Sequence, residues 1–267
     1  MMQALADCED DIARRLRDAA HVFCFLDYDG TLAPLAPTPD EARPWPGTEG
    51  MLRALAAAPG TEVAIVTGRT IANLRRFLDV PGVYYAGVHG LEIEWPSGKT
   101  WLAPGTGMVR AVLPSIRQRL EQALAGRPGI LFEDKSAALA CHYRLAAPSD
   151  AVLAQHTLAT IAREYKRRGV PVALLRGHAV TEIRPAAVSK GEAVRALLAA
   201  FPHQSRAVCI GDDQTDAEAF RALPPDAITV HVGAAEEPGL ARYSVPGPAE
   251  VQRFLRRVLA WRSAEHG

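Results

Sequence analysis

The chain has 267 residues, 48% of them hydrophobic, enough to bury a sizeable core in one large domain or two modest ones. Thirty Lys and Arg balance thirty Asp and Glu. No global positive field therefore favours nucleic acid or an anionic membrane as partner, and an anionic ligand has to be held by a few placed cations. The start MMQALADCEDD is acidic where a secretory signal is basic, and no apolar run approaches the roughly 20 residues that span a bilayer, which predicts a cytoplasmic protein with no membrane partner.

In chain order, the first strong element is His21 to Leu26 (HVFCFL), an apolar run that ends in DYDGTL. A helix-like segment from Glu49 to Ala58 follows. The run EVAIVTGR, from Glu62, then repeats the arrangement of buried strand and polar turn, and Thr70 to Leu78 is again helix-like. The middle third differs. Met108 to Ala125 reads as a helix, and Ile130 to Asp134 with Ala137 to Arg144 as paired strands around Lys135-Ser136. Ser149 is the expected N-cap of a second helix reaching Arg168. Val170 to Arg176 and Ala179 to Arg184 form a second hairpin turned by Gly177-His178. Gly191 to Ala200 returns to helix, and AVCIGDDQTDAEAF from Ala207 and AITVHVG from Ala227 are further buried strands.

The pattern predicts an α/β fold: a Rossmann-like, doubly wound parallel sheet formed by residues 1–104 and 185–267, with an αββαββ module inserted over 105–184. Cys8, Cys24, Cys141 and Cys209 are far apart, and the last three lie in apolar runs, so they are expected to be reduced and structural, with no zinc spacing among them.

In an open α/β sheet, ligands bind at the carboxyl ends of the strands. Three polar clusters follow strands: Asp27-Tyr28-Asp29-Gly30-Thr31, Thr67-Gly68-Arg69, and Gly211-Asp212-Asp213 through Asp216. A fourth, Ser189-Lys190-Gly191, opens a helix beside them. Asp27, Asp29, Asp212 and Asp213 at one edge repel each other unless a cation neutralises them, and a hard divalent ion such as Mg2+ suits oxygen ligands beside phosphate. Thr67, Lys190 and backbone N–H groups can then hold phosphate oxygens, an arrangement suited to phosphoryl transfer. Asp27 can attack phosphorus while Asp29, two residues on, serves as general acid and then base.

In that order the clusters resemble the haloacid dehalogenase superfamily. The strings FLDYDGTLAP from Phe25, VTGR from Val66, AGVHGLEI from Ala86, FEDKSAALACHYR from Phe132, TEIRPAAVSKG from Thr181 and IGDDQTDAEAF from Ile210 resemble the trehalose-6-phosphate phosphatases within it. The resemblance implies Asp27 as nucleophile, Asp29 as acid/base, and Thr67 and Lys190 at the phosphate. Asp27, Asp212 and the Asp29 carbonyl would be the magnesium ligands, supported by Asp213 and Asp216. Arg69, His89 and Gly90 are expected on the substrate side, and Glu133, Lys135, Arg144 and Glu182 in the cap on the sugar hydroxyls. It also implies a sugar phosphate as substrate and a functional link to a separate trehalose-phosphate synthase, and the short stretch before Asp27, with no room for a fused synthase domain, leads us to expect a stand-alone phosphatase. Ala217-Glu218 departs from the more frequent Glu-Asp, and Thr67 stands where Ser is also common; neither removes a chemical role.

His142 and His231 are expected to pack in a core or at a sheet edge, His89 could face the cleft, and His178 shows no ligand spacing. REYKRR, from Arg163 to Arg168, is expected to be a solvated helix end. Trp45, Trp95 and Trp101 are as well explained by hydrophobic anchoring as by sugar stacking. The rival functions are a related phosphatase acting on sucrose phosphate or glucosylglycerol phosphate, and a non-catalytic sensor. The second is opposed by the presence of Asp27, Asp29, Lys190 and Asp212.

Overall fold

A computed structural model describes residues 2–38, 40–177, 179–201, 205–234 and 241–263. The chain opens with β1 (Gln3–Ala4), α1 (Glu9–Arg17), β2 (His21–Leu26), α2 (Thr48–Ala57), β3 (Thr61–Val66), α3 (Ile71–Arg75), β4 (Tyr84–Gly87), β5 (Glu92–Glu94) and β6 (Thr100–Leu102). The inserted segment supplies α4 (Thr106–Ala123), β7 (Leu131–Lys135), β8 (Ala138–His142), α5 (Pro148–Arg167), β9 (Val172–Gly177) and β10 (Val180–Pro185). It closes with α6 (Lys190–Leu198), β11 (Ser205–Gly211), α7 (Gln214–Ala222), β12 (Ile228–Val232), β13 (Tyr243–Val245) and α8 (Pro248–Ser263). Two compact units result, Met1–Trp101 with Ser189–Gly267, and Leu102–Val188.

The first unit holds a nine-stranded sheet in the order β1-β13-β12-β11-β2-β3-β4-β5-β6. Its strands run parallel from β1 to β4, and β5 turns back antiparallel to β4. From β2 the chain winds outward through β3 and β4, then returns to the other side of β2 at β11. The switch point of the sheet therefore lies between β2 and β11, where such folds open a crevice at the carboxyl ends.

Alternation along β2 explains why the strand is apolar from Val22 to Leu26. Val22, Cys24 and Leu26 face a core completed by Ile12 and Leu16 of α1, Leu52 and Leu55 of α2, and Phe254 and Leu255 of α8. Phe23 and Phe25 face the other core, with Ala193, Val194 and Leu197 of α6 and Phe220 of α7. Both faces are covered from Val22 to Leu26, so those five positions are apolar, while the partly exposed start of the strand carries His21. Arg262, buried near the end of α8, donates to the carbonyls of Leu16, Ala19, Ala20 and Pro59 at 2.7–3.3 Å and to Thr61 Oγ1 at 3.3 Å. It ties the loops that precede β2 and β3 to the last helix.

The second unit is a four-stranded antiparallel sheet, β7-β8-β10-β9, with α4 and α5 on one face. Val109, Leu113, Ile116 and Leu120 form the buried stripe of α4 and meet Leu158, Ile161 and Tyr165 of α5 over Leu139, Cys141 and Ile183. Three local expectations are corrected. Helix α5 is capped by Ala147 with Pro148 in its first turn, not by Ser149; the fixed φ of proline suits that place and its missing N–H costs nothing there. The first hairpin turns at Ser136-Ala137, one residue later than Lys135-Ser136, because Lys135 still pairs with Ala138 and Ser136 takes the left-handed φ of 61°. His142 is not a packing residue: its side chain is 40% exposed and its Nε2 lies 2.9 Å from Glu133 Oε2. His178 lies outside the described residues. Cys24, Cys141 and Cys209 are buried and unpaired, as is the partly buried Cys8. Trp95 packs edge-on to Tyr84 and Trp101 against the same core, as anchors. No described helix is long and apolar enough to cross a membrane.

Candidate active site

Asp27 is the first residue past β2, and its N–H donates to the Ile210 carbonyl of β11 at 3.0 Å, extending the ladder to the edge of the sheet. The loop then folds over the Tyr28 carbonyl, which accepts N–H bonds from Thr31, Leu32 and Ala33. Gly30 has φ +78°, and a Cβ on it would stand 2.0 Å from Asp212 Oδ2. A Cβ on Gly211, at the end of β11, would stand 2.0 Å from Asp216 Cγ. Glycine at 30 lets Asp212 close onto the loop after β2, and glycine at 211 lets Asp216 fold back against the end of β11.

Lys190 enters from α6, which is capped by the Ser189 hydroxyl accepting from Glu192 N–H. Its Nζ lies 2.8 Å from Asp27 Oδ1, 2.8 Å from Asp216 Oδ1 and 4.0 Å from Asp213 Oδ1, and the side chain is almost wholly buried. Asp216 also accepts N–H bonds from Asp212 and Asp213, while Asp213 caps α7 by accepting from Thr215 and Asp216 N–H. Thr67, directly after β3, is fully buried, with its N–H on the Ala86 carbonyl and its hydroxyl accepting from Arg69 N–H.

Carboxylate oxygens of Asp27, Asp212 and Asp216 converge within 4.8 Å of one another. Burial, and then the charges of Asp212 and Asp213, push Asp27 up to about 8 against the pull of Lys190. Burial followed by the charges of Asp216 and Asp213 pushes Asp212 up to about 7. Burial alone would lower Lys190, but Asp216, Asp27 and Asp213 outweigh it and hold the ammonium well above its ordinary value. Asp213 is held at about 2: burial opposes ionisation, but Lys190 and the cap hydrogen bonds prevail. One ammonium cannot compensate four carboxylates. The surplus negative charge and the all-oxygen donor set fit a hard divalent cation held by Asp27, Asp212 and Asp216.

The remaining predicted residues fall into three groups. Asp29 does not join the converging carboxylates; Arg69 holds both its oxygens, Nε to Oδ2 at 2.8 Å and Nη2 to Oδ1 at 2.7 Å. His89 and the preceding Val88 both adopt left-handed backbone, a strained pair whose N–H groups donate to the Thr67 and Arg69 carbonyls and brace that loop. Gly90 follows with φ +95°. In the second unit, register puts Glu133, Lys135 and Glu182 on the sheet face opposite α4 and α5, with His142 beside them. Lys135 Nζ is 2.6 Å from Glu182 Oε1 and 3.9 Å from Glu133 Oε2. Arg144 lies past the end of β8 and is exposed.

A sequence profile of the trehalose-phosphatase family matches residues 25–249, most of the chain. The chain belongs to the trehalose-phosphatase family. It is 35% identical over 254 residues to a probable trehalose-phosphate phosphatase of Sinorhizobium fredii, covering 94% of this chain and 92% of that one. It is 33% identical over 242 residues to a trehalose-phosphate phosphatase of Mycobacterium marinum, where the match spans 88% of this chain and 60% of the longer relative. The solved trehalose-6-phosphate phosphatase of Aspergillus fumigatus superimposes with a TM-score of 0.76 at 26% identity, over 99% of this chain and all of that one.

Three features of this family member escaped sequence reasoning. His142 pairs with Glu133, a contact that hairpin register could have suggested, since Leu131 faces His142 across the strands. Asp216, expected at the metal site in a supporting role, is itself one of the three converging carboxylates, a placement that the Asp-x-x-Asp spacing of a capping box could have signalled. The Arg69–Asp29 pair joins residues 40 apart and had no local signature.

Proposed function

We propose that this phosphatase hydrolyses trehalose 6-phosphate to trehalose and inorganic phosphate through an aspartyl phosphate on Asp27. The observation that carries the reading is the Lys190 ammonium, 2.8 Å from both Asp27 and Asp216 at the switch point of the sheet, beside Asp212. Asp27 attacks phosphorus, and the bond from phosphorus to the sugar oxygen breaks as Asp29 delivers a proton to that oxygen. Asp29 then takes a proton from the water that attacks the aspartyl phosphate, which releases inorganic phosphate and restores Asp27. Thr67 and Lys190 hold phosphate oxygens during both displacements. Asp27, Asp212 and Asp216, with the Asp29 carbonyl and support from Asp213, would hold a divalent cation such as Mg2+, which would supply the charge compensation that lets these carboxylates stay ionised beside a phosphate dianion.

Glu133, Lys135, Arg144 and Glu182 recognise the sugar, and His142 fixes Glu133. Ionised groups suit a neutral polyol because their hydrogen bonds to hydroxyls are stronger than those of neutral ones. A separate trehalose-phosphate synthase is the functional partner in this reading, and the reducing cytoplasm suits the four unpaired cysteines. Phosphate release over a panel of trehalose, sucrose and glucose 6-phosphates tests the substrate: equal turnover across the panel overturns it. Asp27→Asn tests the mechanism, with turnover expected to vanish in a folded variant; substantial residual activity removes Asp27 as nucleophile.

A further inference from the structure

We propose that Arg69 is the positioning residue for Asp29 and not a ligand of the phosphate, a role that rests on the phosphatase reading above. Its guanidinium is fixed on every side. Nε and Nη2 grip the two Asp29 oxygens, and Nη1 donates to Asn73 Oδ1 at 3.1 Å. Its central carbon lies 4.9 Å from the centroid of the Tyr28 ring and 5.2 Å from that of the Phe77 ring, and the residue is only 7% exposed. The backbone is pinned as well, with Arg69 N–H on Thr67 Oγ1 and its carbonyl accepting from Val88 N–H. Asn73 is held in turn: its N–H donates to the Thr70 hydroxyl that caps α3.

Each guanidinium nitrogen is thus engaged within the protein, and the fork faces a carboxylate whose side chain is 38% exposed. A planar, bidentate fork fixes the plane and direction of its partner, which a point charge cannot do. Arg69 is the rigid member and Asp29 the movable one. Asp29 turns one oxygen off the fork, takes up a proton from solvent on it and delivers that proton to the departing sugar oxygen, while the other oxygen stays on the fork, so the carboxyl swings about a fixed hinge point between the two half-reactions.

Arg69→Met keeps the stem against Tyr28 and Phe77 but removes the fork; Arg69→Lys keeps the charge and also removes the fork. Each is compared with Asp29→Asn and with the double variants, on trehalose 6-phosphate and on p-nitrophenyl phosphate, whose leaving group departs as a stable anion without a proton. Both single variants are expected to lose about 100-fold in kcat/KM on the sugar phosphate. Single-turnover release of nitrophenolate and inhibition by inorganic phosphate should stay within about threefold of wild type, the margin for a group that does not act in that step. In the Asp29→Asn background, Arg69→Met should cost nothing further, since residues acting through one another are not additive. Equal losses on both substrates, weakened phosphate inhibition, full activity in Arg69→Lys, or additive losses in the double variant each overturn the role. A wild-type chain that hydrolyses neither phosphate overturns the phosphatase reading itself, an outcome visible before any variant is made.

Discussion

Asp27 makes the stability of the metal-free protein depend on pH in a direction opposite to that of an ordinary salt-bridged aspartate. Its folded value lies near 8 against an ordinary 3.8, because burial and the neighbouring carboxylates outweigh Lys190. The fold therefore keeps a proton that the unfolded chain has shed. That contribution is fully present below 3.8 and is lost progressively as pH rises to about 8. One retained proton costs about 1.4 kcal/mol per pH unit, so between pH 5 and pH 7 the metal-free protein should lose about 3 kcal/mol through Asp27 alone. That is a large share of the ~5–15 kcal/mol typical of a folded protein. Asp212, pushed up to about 7, acts in the same direction over part of the window. Saturating Mg2+, the divalent cation proposed for this site, should hold the carboxylates ionised and flatten the slope, so stabilisation by Mg2+ should grow with pH. Urea unfolding followed by tryptophan fluorescence, in chelator and in Mg2+ and at each pH, measures both. Asp27→Asn is the reference, since it removes the titrating group while keeping its size, although Asp212, Asp216 and Lys190 lose its charge as a neighbour. If wild type and Asp27→Asn lose stability equally between pH 5 and pH 7 without metal, the buried carboxylate is not the source and the reasoning fails.

Further outcomes follow from other parts of the structure. Gly30→Ala introduces a Cβ where Asp212 Oδ2 now stands, at a backbone angle that suits glycine, so the variant should fold by circular dichroism yet show no thermal shift with Mg2+. Arg262→Met strips the donor from four carbonyls and one hydroxyl, and should cost about 3 kcal/mol or more by urea denaturation while the surviving folded fraction keeps its kcat. Glu133→Ala and Lys135→Ala should each lower kcat/KM on trehalose 6-phosphate by about 10- to 100-fold, as expected for one charged hydrogen bond worth ~1.5–3 kcal/mol, and leave an aryl phosphate nearly unaffected. Equal losses on both substrates would show that these residues do not recognise the sugar.

What the sequence disclosed follows from which forces are local. The continuous apolar runs of β2 and β3 could belong only to strands covered on both faces, and their ends were marked by the polar clusters. The short outer strands β1, β5, β6 and β13 carry two or three residues each, too few for any periodicity, and their pairing is set by the sheet they join. Helix α8 was also not anticipated, although Val251, Phe254, Leu255 and Val258 form a helical stripe; its place is fixed by the long-range bonds of Arg262, which no window of sequence contains.

The same distinction separates the legible from the hidden part of the site. Asp27, Thr67, Lys190 and Asp212 each sit at an element end, so the fold class alone carried them to one sheet edge. Their ionisation depends instead on how many carboxylates share one cation, and that count is a property of the assembled edge. Asp213 and Asp216 make the point. They are three residues apart on the same helix start and look interchangeable in sequence, yet Asp213 spends its charge on the N–H groups of α7 and is held at about 2, while Asp216 is buried against Lys190 and is pushed well above its ordinary value. The difference arises from the direction each side chain takes from the cap. Asp213 points along the helix axis toward orphan donors, whereas Asp216, one turn in, points back at the end of β11, where only a glycine at 211 leaves room for it. A reading of that pair therefore needs Gly211 as much as either aspartate.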